Sequence, residues 1–160
     1  MAEAAAQEAF QINIVGQYTK DLSFEAPETP GIFQALQQKQ PDVDINIGVN
    51  VNSGPETMSE VILHIDAKCT LDGRTVFIVD LDYAGLVQID APEEQMHPVL
   101  MIEIPRFLFP FARNILAETS RNAGFMPLML GPVDFAAMYQ NMGQGGNGGT
   151  NGGAPASDDA

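Results

Sequence analysis

Two histidines, one cysteine and a pair of closely spaced aspartates are the side chains of this 160-residue chain best suited to chemistry. A hydrolytic site needs a nucleophile, a histidine base and an orienting acid. His64 and His97 are the available bases, and neither lies in a recognisable catalytic motif. His64 shares the polar parity of its strand with Asp66 and reads as a surface or dimer-face histidine, and His97 precedes Pro98 near a helix start. Asp80-x-Asp82 offers two carboxylates on one strand, fewer convergent oxygens than a hard cation normally recruits, so no metal site is expected. Cys69 has apolar parity and no intrachain partner, which describes a buried, inert thiol. The glycines from Gly143 onward lack the strand-to-helix setting and the Lys-Ser/Thr ending of a phosphate loop, so no nucleotide or other cofactor is expected.

Charge narrows the partners. The chain carries 21 acidic against 7 basic residues, a formal charge of −14, which opposes attraction to nucleic acid or to an anionic membrane and favours a basic partner. No apolar stretch approaches the roughly 20 residues that span a bilayer. The longest mixed run, Val99 to Phe111, is broken by Glu103, Pro105, Arg106 and Pro110, so no direct membrane insertion is expected. A positively charged segment followed by an apolar run is also missing, which leads to the expectation of a cytoplasmic protein.

These side chains must be positioned by a sheet. Residues 1–9 have no apolar rhythm, and residues 143–160 are rich in Gly and Asn with little to bury, so both ends are expected to be flexible around a domain at 10–142. Period-two alternation predicts four strands. In the first, Phe10, Ile12, Ile14, Tyr18, Leu22 and Phe24 share one parity, Asp21 and Glu25 take the other, and Gly16 marks a bulge or bend. Val43, Ile45, Ile47, Val49 and Val51 form the second, after a Pro- and Gln-rich crossover from Ala26 to Gln40. In the third, Val61, Leu63, Ile65, Ala67, Cys69 and Leu71 point inward; Asp72-Gly73 then supplies a tight hairpin turn. The fourth turns Phe77, Val79, Leu81 and Tyr83 one way and Ile78, Asp80 and Asp82 the other, leaving one sheet face acidic.

After Asp90 the rhythm becomes helical, with Asp90 as the expected cap, Glu93 as a capping-box acid and two prolines interrupting the run. Leu108, Phe111, Ala112, Ile115 and Leu116 form one helical stripe that Gly124 ends. A short final helix near Val133 to Met142 carries Phe135, Met138, Tyr139 and Met142, with Asp134 favourably placed for the helix dipole. The fold class is therefore α+β, a four-stranded antiparallel sheet with two C-terminal helices. Two helices leave much of such a sheet uncovered, and self-association is the natural remedy.

Three stretches bring a family into view: YTKDLSFEAP from Tyr18 to Pro27, TVFIVDLDYAGL from Thr75 to Leu86, and the run from Arg106 to Met142 containing FPFARNILAETSRNAGFMPLMLGPVDFAAMYQNM. In this order they resemble the SecB family of protein-export chaperones. The resemblance implies a homotetramer, a dimer of dimers with its long helices packed between sheets. It also implies an ATP-independent chaperone that is not an enzyme, binds unfolded precursor proteins in grooves, keeps them competent for translocation and delivers them to the motor ATPase SecA for export. Carried onto this chain, the SecA contacts fall on Asp21, Glu25, Ile78 and Asp80. The client groove falls on Phe33, Val43, Ile45, Ile47, Phe135, Met138, Tyr139 and Met142. Where many relatives carry a tryptophan in the crossover, this chain has Leu36 and a glutamine-rich stretch. The competing readings are an acidic oligomeric scaffold that recruits a basic partner without holding clients, and an enzyme using Asp80, Asp82 and His64.

Overall fold

The computed structural model describes residues 11–144; Phe10 and the ends at 1–9 and 145–160 lie outside the described residues. β1 (Gln11–Glu25) leads through a single helical turn, α1 (Ile32–Leu36), to β2 (Asp42–Ser53), β3 (Met58–Leu71) and β4 (Arg74–Asp90). The strands form one antiparallel sheet in the order β1-β4-β3-β2, so the crossover carries the chain from one edge to the other. Asp72 (φ 50°) and Gly73 (φ 79°) make the β3–β4 turn expected from their types, because both positions need the left-handed region.

The alternation is realised from Val61 to Cys69 in β3 and from Phe77 to Tyr83 in β4, although Val76 and Ala84, of the other parity, are buried as well. Val61, Leu63, Ile65, Ala67 and Cys69 lie opposite Gly85, Tyr83, Leu81, Val79 and Phe77, and that face forms the core. β1 keeps its phase less simply, because register shifts fall between Ile14 and Gly16 and between Thr19 and Asp21. The first is the bulge that Gly16 signals; the second has no glycine to announce it. Between the two, the faces are exchanged. Gln17 sits opposite Gly85 on the core side, where its Oε1 accepts a 3.1 Å hydrogen bond from the Tyr83 hydroxyl. Tyr18, expected to point inward, lies opposite Ala84 and bonds Glu60 on the outer face instead. The second shift restores the phase, so Leu22 and Phe24 face the core side while Asp21 and Glu25 face outward.

The core face is covered by a continuous helical path: α2 (Glu93–Pro98), a π-helical segment (Val99–Glu103) and α3 (Ile104–Asn122). The prolines do not break this path. Pro98 closes α2, Pro105 falls in the first turn of α3 and Pro110 lies within it, with the π segment taking up the irregularity. Asp90 does not act as the cap, because its pairing with Gln11 extends β4 to that residue; Pro92 occupies the cap position without a side-chain bond. Along α3, Ile104, Leu108, Ala112 and Leu116 are buried, whereas Phe111 and Phe107 stay exposed on its flank. α3 can lie close to the sheet because Gly85 has no side chain: a Cβ there would stand 3.0 Å from Leu108 Cδ2. α4 (Phe135–Gln144) packs on the π segment and runs two residues past the expected start of the tail.

This contact yields a prediction. Leu108→Ala should cost about 2–5 kcal/mol through lost burial and the cavity left behind, and Gly85→Val roughly 1–3 kcal/mol through overpacking. Urea denaturation measures both; a loss below about 0.5 kcal/mol at either position contradicts this packing.

Candidate functional site

The outer face of the sheet is built in cross-strand rows. Asp21 lies opposite Asp82 and Asp82 opposite His64; Ser23, Asp80 and Asp66 form the next row; Glu25, Ile78 and Lys68 the one after. Asp21, Glu25, Ile78 and Asp80 therefore fall within three adjacent rows across β1 and β4, one compact patch with Ile78 as its apolar member at one end. Asp21 and Glu25 are exposed, Ile78 and Asp80 half-buried. Carboxylates directly opposite one another repel, and the side chain between them here is His64. Its Nδ1 lies 2.5 Å from Asp82 Oδ1, and its Nε2 lies 3.1 Å from Asp66 Oδ2 and 3.7 Å from Asp80 Oδ1. Burial alone would lower the His64 pKa, but the hydrogen bonds to Asp82 and Asp66 outweigh it, and the net movement is upward from 6.5.

A second polar network fixes the bulged part of β1. The Glu60 carboxylate on β3 accepts bonds from Tyr18, from Lys20 Nζ at 2.8 Å and from Asn52 Nδ2 at 3.1 Å. The Lys20 bond contributes most, followed by those from Tyr18 and Asn52, and together they hold the Glu60 carboxyl at about 2. The bond to Glu60 in turn pushes the Tyr18 phenol up to about 12.

The opposite side of the molecule carries an apolar groove of about 440 Å³ between the crossover, the start of β2 and the segment after α3. Leu36, Val43, Phe125, Met126, Leu128 and Met129 are among its lining residues. Met126 is 87% and Met129 68% exposed, so their thioethers are free to adapt to an apolar chain. Phe125 anchors this segment against Phe24, Phe33 and Phe77, with centroid separations of 5.1–6.2 Å. Ser120, buried in α3, accepts the Leu128 N–H at 2.8 Å and donates to the Leu116 carbonyl, which pins the segment to the helix. Cys69 also lines the groove as a buried thiol, pushed up to about 11 by burial and secondarily by the charge of Asp42.

Of the eight residues expected to form a client groove, Val43 lines this one, and Phe33 is not among its lining residues but packs at a tilt against Phe125, which is. Ile45 and Ile47 are half-buried against the core. Met138, Tyr139 and Met142 lie on α4, where Tyr139 Oη and His97 Nδ1 are 3.1 Å apart. Phe135 does not offer surface: it is 2% exposed and packs edge-on against Phe109, because as the first residue of α4 it is the helix's anchor in the core. Asp134 caps α4 by accepting the Ala137 N–H at 3.0 Å. The groove residues missed from the sequence are Leu36 and the Phe125–Met129 segment. The signal for the second was the apolar run FMPLML placed between two helices, just past Gly124, which ends the first of them.

The family model described as SecB, preprotein translocase subunit SecB, matches residues 4–145. The protein-export protein SecB of Rhodospirillum rubrum is 50% identical over 128 residues, 80% of this chain and 79% of the relative. That of Paramagnetospirillum magneticum is 45% identical over 139 residues, covering 87% of this chain and 90% of the relative. Among solved structures, a SecB-like chaperone of Mycobacterium tuberculosis, in complex with a ChAD peptide from an antitoxin, superposes with a TM-score of 0.65 at 16% identity. The match covers 83% of this chain and 95% of that one, and it shows a shared fold.

The Glu60 network predicts an acid-sensitive stability term. A depressed carboxyl pKa stabilises the fold above the unfolded value of about 4.5, and the contribution is lost as pH falls toward 2. Glu60→Gln should therefore cost about 1 kcal/mol at pH 7, with the difference from wild type shrinking as urea titrations move from pH 5 to pH 3. A difference that does not change over that range overturns the assignment.

Proposed function

The chain belongs to the SecB family of protein-export chaperones, and on that footing we propose that it holds unfolded precursor proteins in the cytoplasm without ATP and hands them to the SecA motor. The observation that carries the client-holding part is the groove edged by Val43, Leu36, Met126 and Met129. Burial of apolar client surface there gains roughly 25 cal/mol per Å², and flexible methionines accept many sequences without a fixed partner shape. Folded proteins hide such segments, so selection acts on folding state. Phe33 supports the groove by packing against Phe125, and Val43, Ile45 and Ile47 extend it along β2 with Met138, Tyr139 and Met142 of α4. Phe135 anchors that helix from within the core.

Motor docking is assigned to the acidic outer face, with Asp21, Glu25 and Asp80 meeting basic residues and Ile78 adding apolar contact. Its support is the placement of these four side chains in three adjacent rows facing away from the groove-lining core face. Assembly as a homotetramer, a dimer of dimers, is supported by apolar surface left uncovered in the protomer: Ile12, Val15 and Leu22 along β1, and Phe107 and Phe111 on α3. Among the described residues no helix is long and apolar enough to cross a membrane.

The two surfaces are separable by mutation. Asp21→Ala with Glu25→Ala should weaken SecA affinity at least tenfold, as measured by calorimetry, while aggregation suppression and solution mass stay at wild-type values. Met126→Ser with Met129→Ser should do the reverse, reducing suppression of aggregation of an unfolded substrate without ATP and sparing SecA affinity. Unchanged motor affinity in the first variant refutes the docking face. Absence of suppression by the wild type favours the acidic scaffold.

A further inference from the structure

We infer that His64 is a proton-operated counter-charge at the centre of the acidic face, so that a basic polypeptide segment docks by displacing the His64 proton. The inference rests on the docking reading above and adds a residue and a control to it. Both imidazole nitrogens face carboxylates: Nδ1 meets Asp82 at 2.5 Å, and Nε2 meets Asp66 at 3.1 Å with Asp80 at 3.7 Å. An ionised carboxylate only accepts hydrogen bonds, so satisfying both contacts requires both nitrogens to donate, and only the imidazolium does that. A neutral ring would turn a lone pair toward one of the aspartates.

The surroundings leave His64 alone in this role. β4 contributes Asp80 and Asp82, and β1 adds Asp21 opposite Asp82. β3 contributes Asp66, with Glu60 further along the strand engaged by Tyr18 and Lys20. β2 places uncharged Gly48 opposite His64 and Asn46 opposite Asp66, to which the Asn46 amide donates at 3.1 Å. Lys68 and Asp44 stand one row beyond. Among the described residues no other cation pairs with Asp66, Asp80 or Asp82. The His64 side chain is 37% exposed, so an incoming lysine or arginine can reach the same carboxylates.

Such a cation competes with the imidazolium for shared acceptors and repels it. Linkage then sets the sign: the partner binds the deprotonated face better, docking releases a proton, and affinity rises as pH climbs through the His64 pKa. Because the two carboxylate bonds outweigh the effect of burial, that transition lies above 6.5. The contribution of the ion pairs to folding runs the opposite way, complete below pH 6.5 and lost above the raised pKa. The face therefore acquires docking charge as it gives up internal stabilisation.

The test is calorimetric titration of the full-length protein with purified SecA from pH 6 to 8.5, with EDTA present to exclude divalent cations. Wild type is compared with His64→Gln and His64→Arg, each first checked for fold by circular dichroism. Wild-type affinity should rise about fivefold across this range, the effect of one screened unit charge. Binding heats should also depend on buffer ionisation enthalpy, reporting proton release. His64→Gln should bind at the wild-type high-pH affinity throughout, and His64→Arg weakly throughout; titration of SecA itself affects all three proteins equally. Equal pH slopes in wild type and both variants overturn the inference while leaving the docking face intact. Full affinity in the Asp21→Ala, Glu25→Ala variant, or no SecA binding by wild type, overturns both.

Discussion

The close approach of α3 to the sheet, with Leu108 seated over Gly85, is the contact on which the other features depend. It converts one face of β3 and β4 into a core of aliphatic side chains exposed by only a few per cent. It also consumes the available helical cover, because a single long helix cannot span four twisted strands. The margins remain apolar and open: β1 with Ile12 and Leu22 on one side, β2 with Val43 on the other. The surfaces assigned to self-assembly and to client binding are both consequences of that incomplete cover.

The groove owes its position to how α3 ends. Gly124, at a φ of 99°, turns the chain out of the helix, and its missing Cβ also leaves room for the Phe33 ring, which would lie 3.2 Å from such an atom. From there Ser120 and the aromatic cluster around Phe125 hold the segment down at its buried residues, while Met126 and Met129 project from it. A rigid base with mobile side chains suits binding that must tolerate many partners, since the backbone is already ordered and only adaptable groups meet the ligand.

The outer face follows a different logic. Since the core is on one side only, outward residues such as His64, Asp66, Asp80 and Asp82 of β3 and β4 are released from it and can carry charge. Asp66, Asp80 and Asp82 converge across two strands, and His64 between them moderates a repulsion that would otherwise act against the sheet. Glu60 does comparable work at the bulged edge strand, where Tyr18 and Lys20 reach over β4 to bond it. Charge on this face is therefore partly structural, and partly available to a partner.

Alternation by itself determined the four strands, the inward set from Val61 to Leu71 and the outward direction of Ile78, Asp80 and Asp82, because strand parity is a local property with a period of two, and the Asp72-Gly73 pair fixed the turn through its tolerance of positive φ. Motif resemblance added the family, and composition the acidic character. What only the tertiary structure decided involves residues distant in the chain or a break in period. Tyr18 faces outward because two shifts in β1 exchange its faces, and the second carries no glycine to reveal it. Phe135 is core and Phe111 is flank because the rotation of each helix is set by what it packs on, whereas a helical stripe shows only that some face is apolar. The Phe125–Met129 segment meets Leu36 and Val43 across about half the length of the chain. The convergence of His64 with Asp66, Asp80 and Asp82 likewise requires the register of β3 on β4, and cross-strand register depends on the turn and the core together.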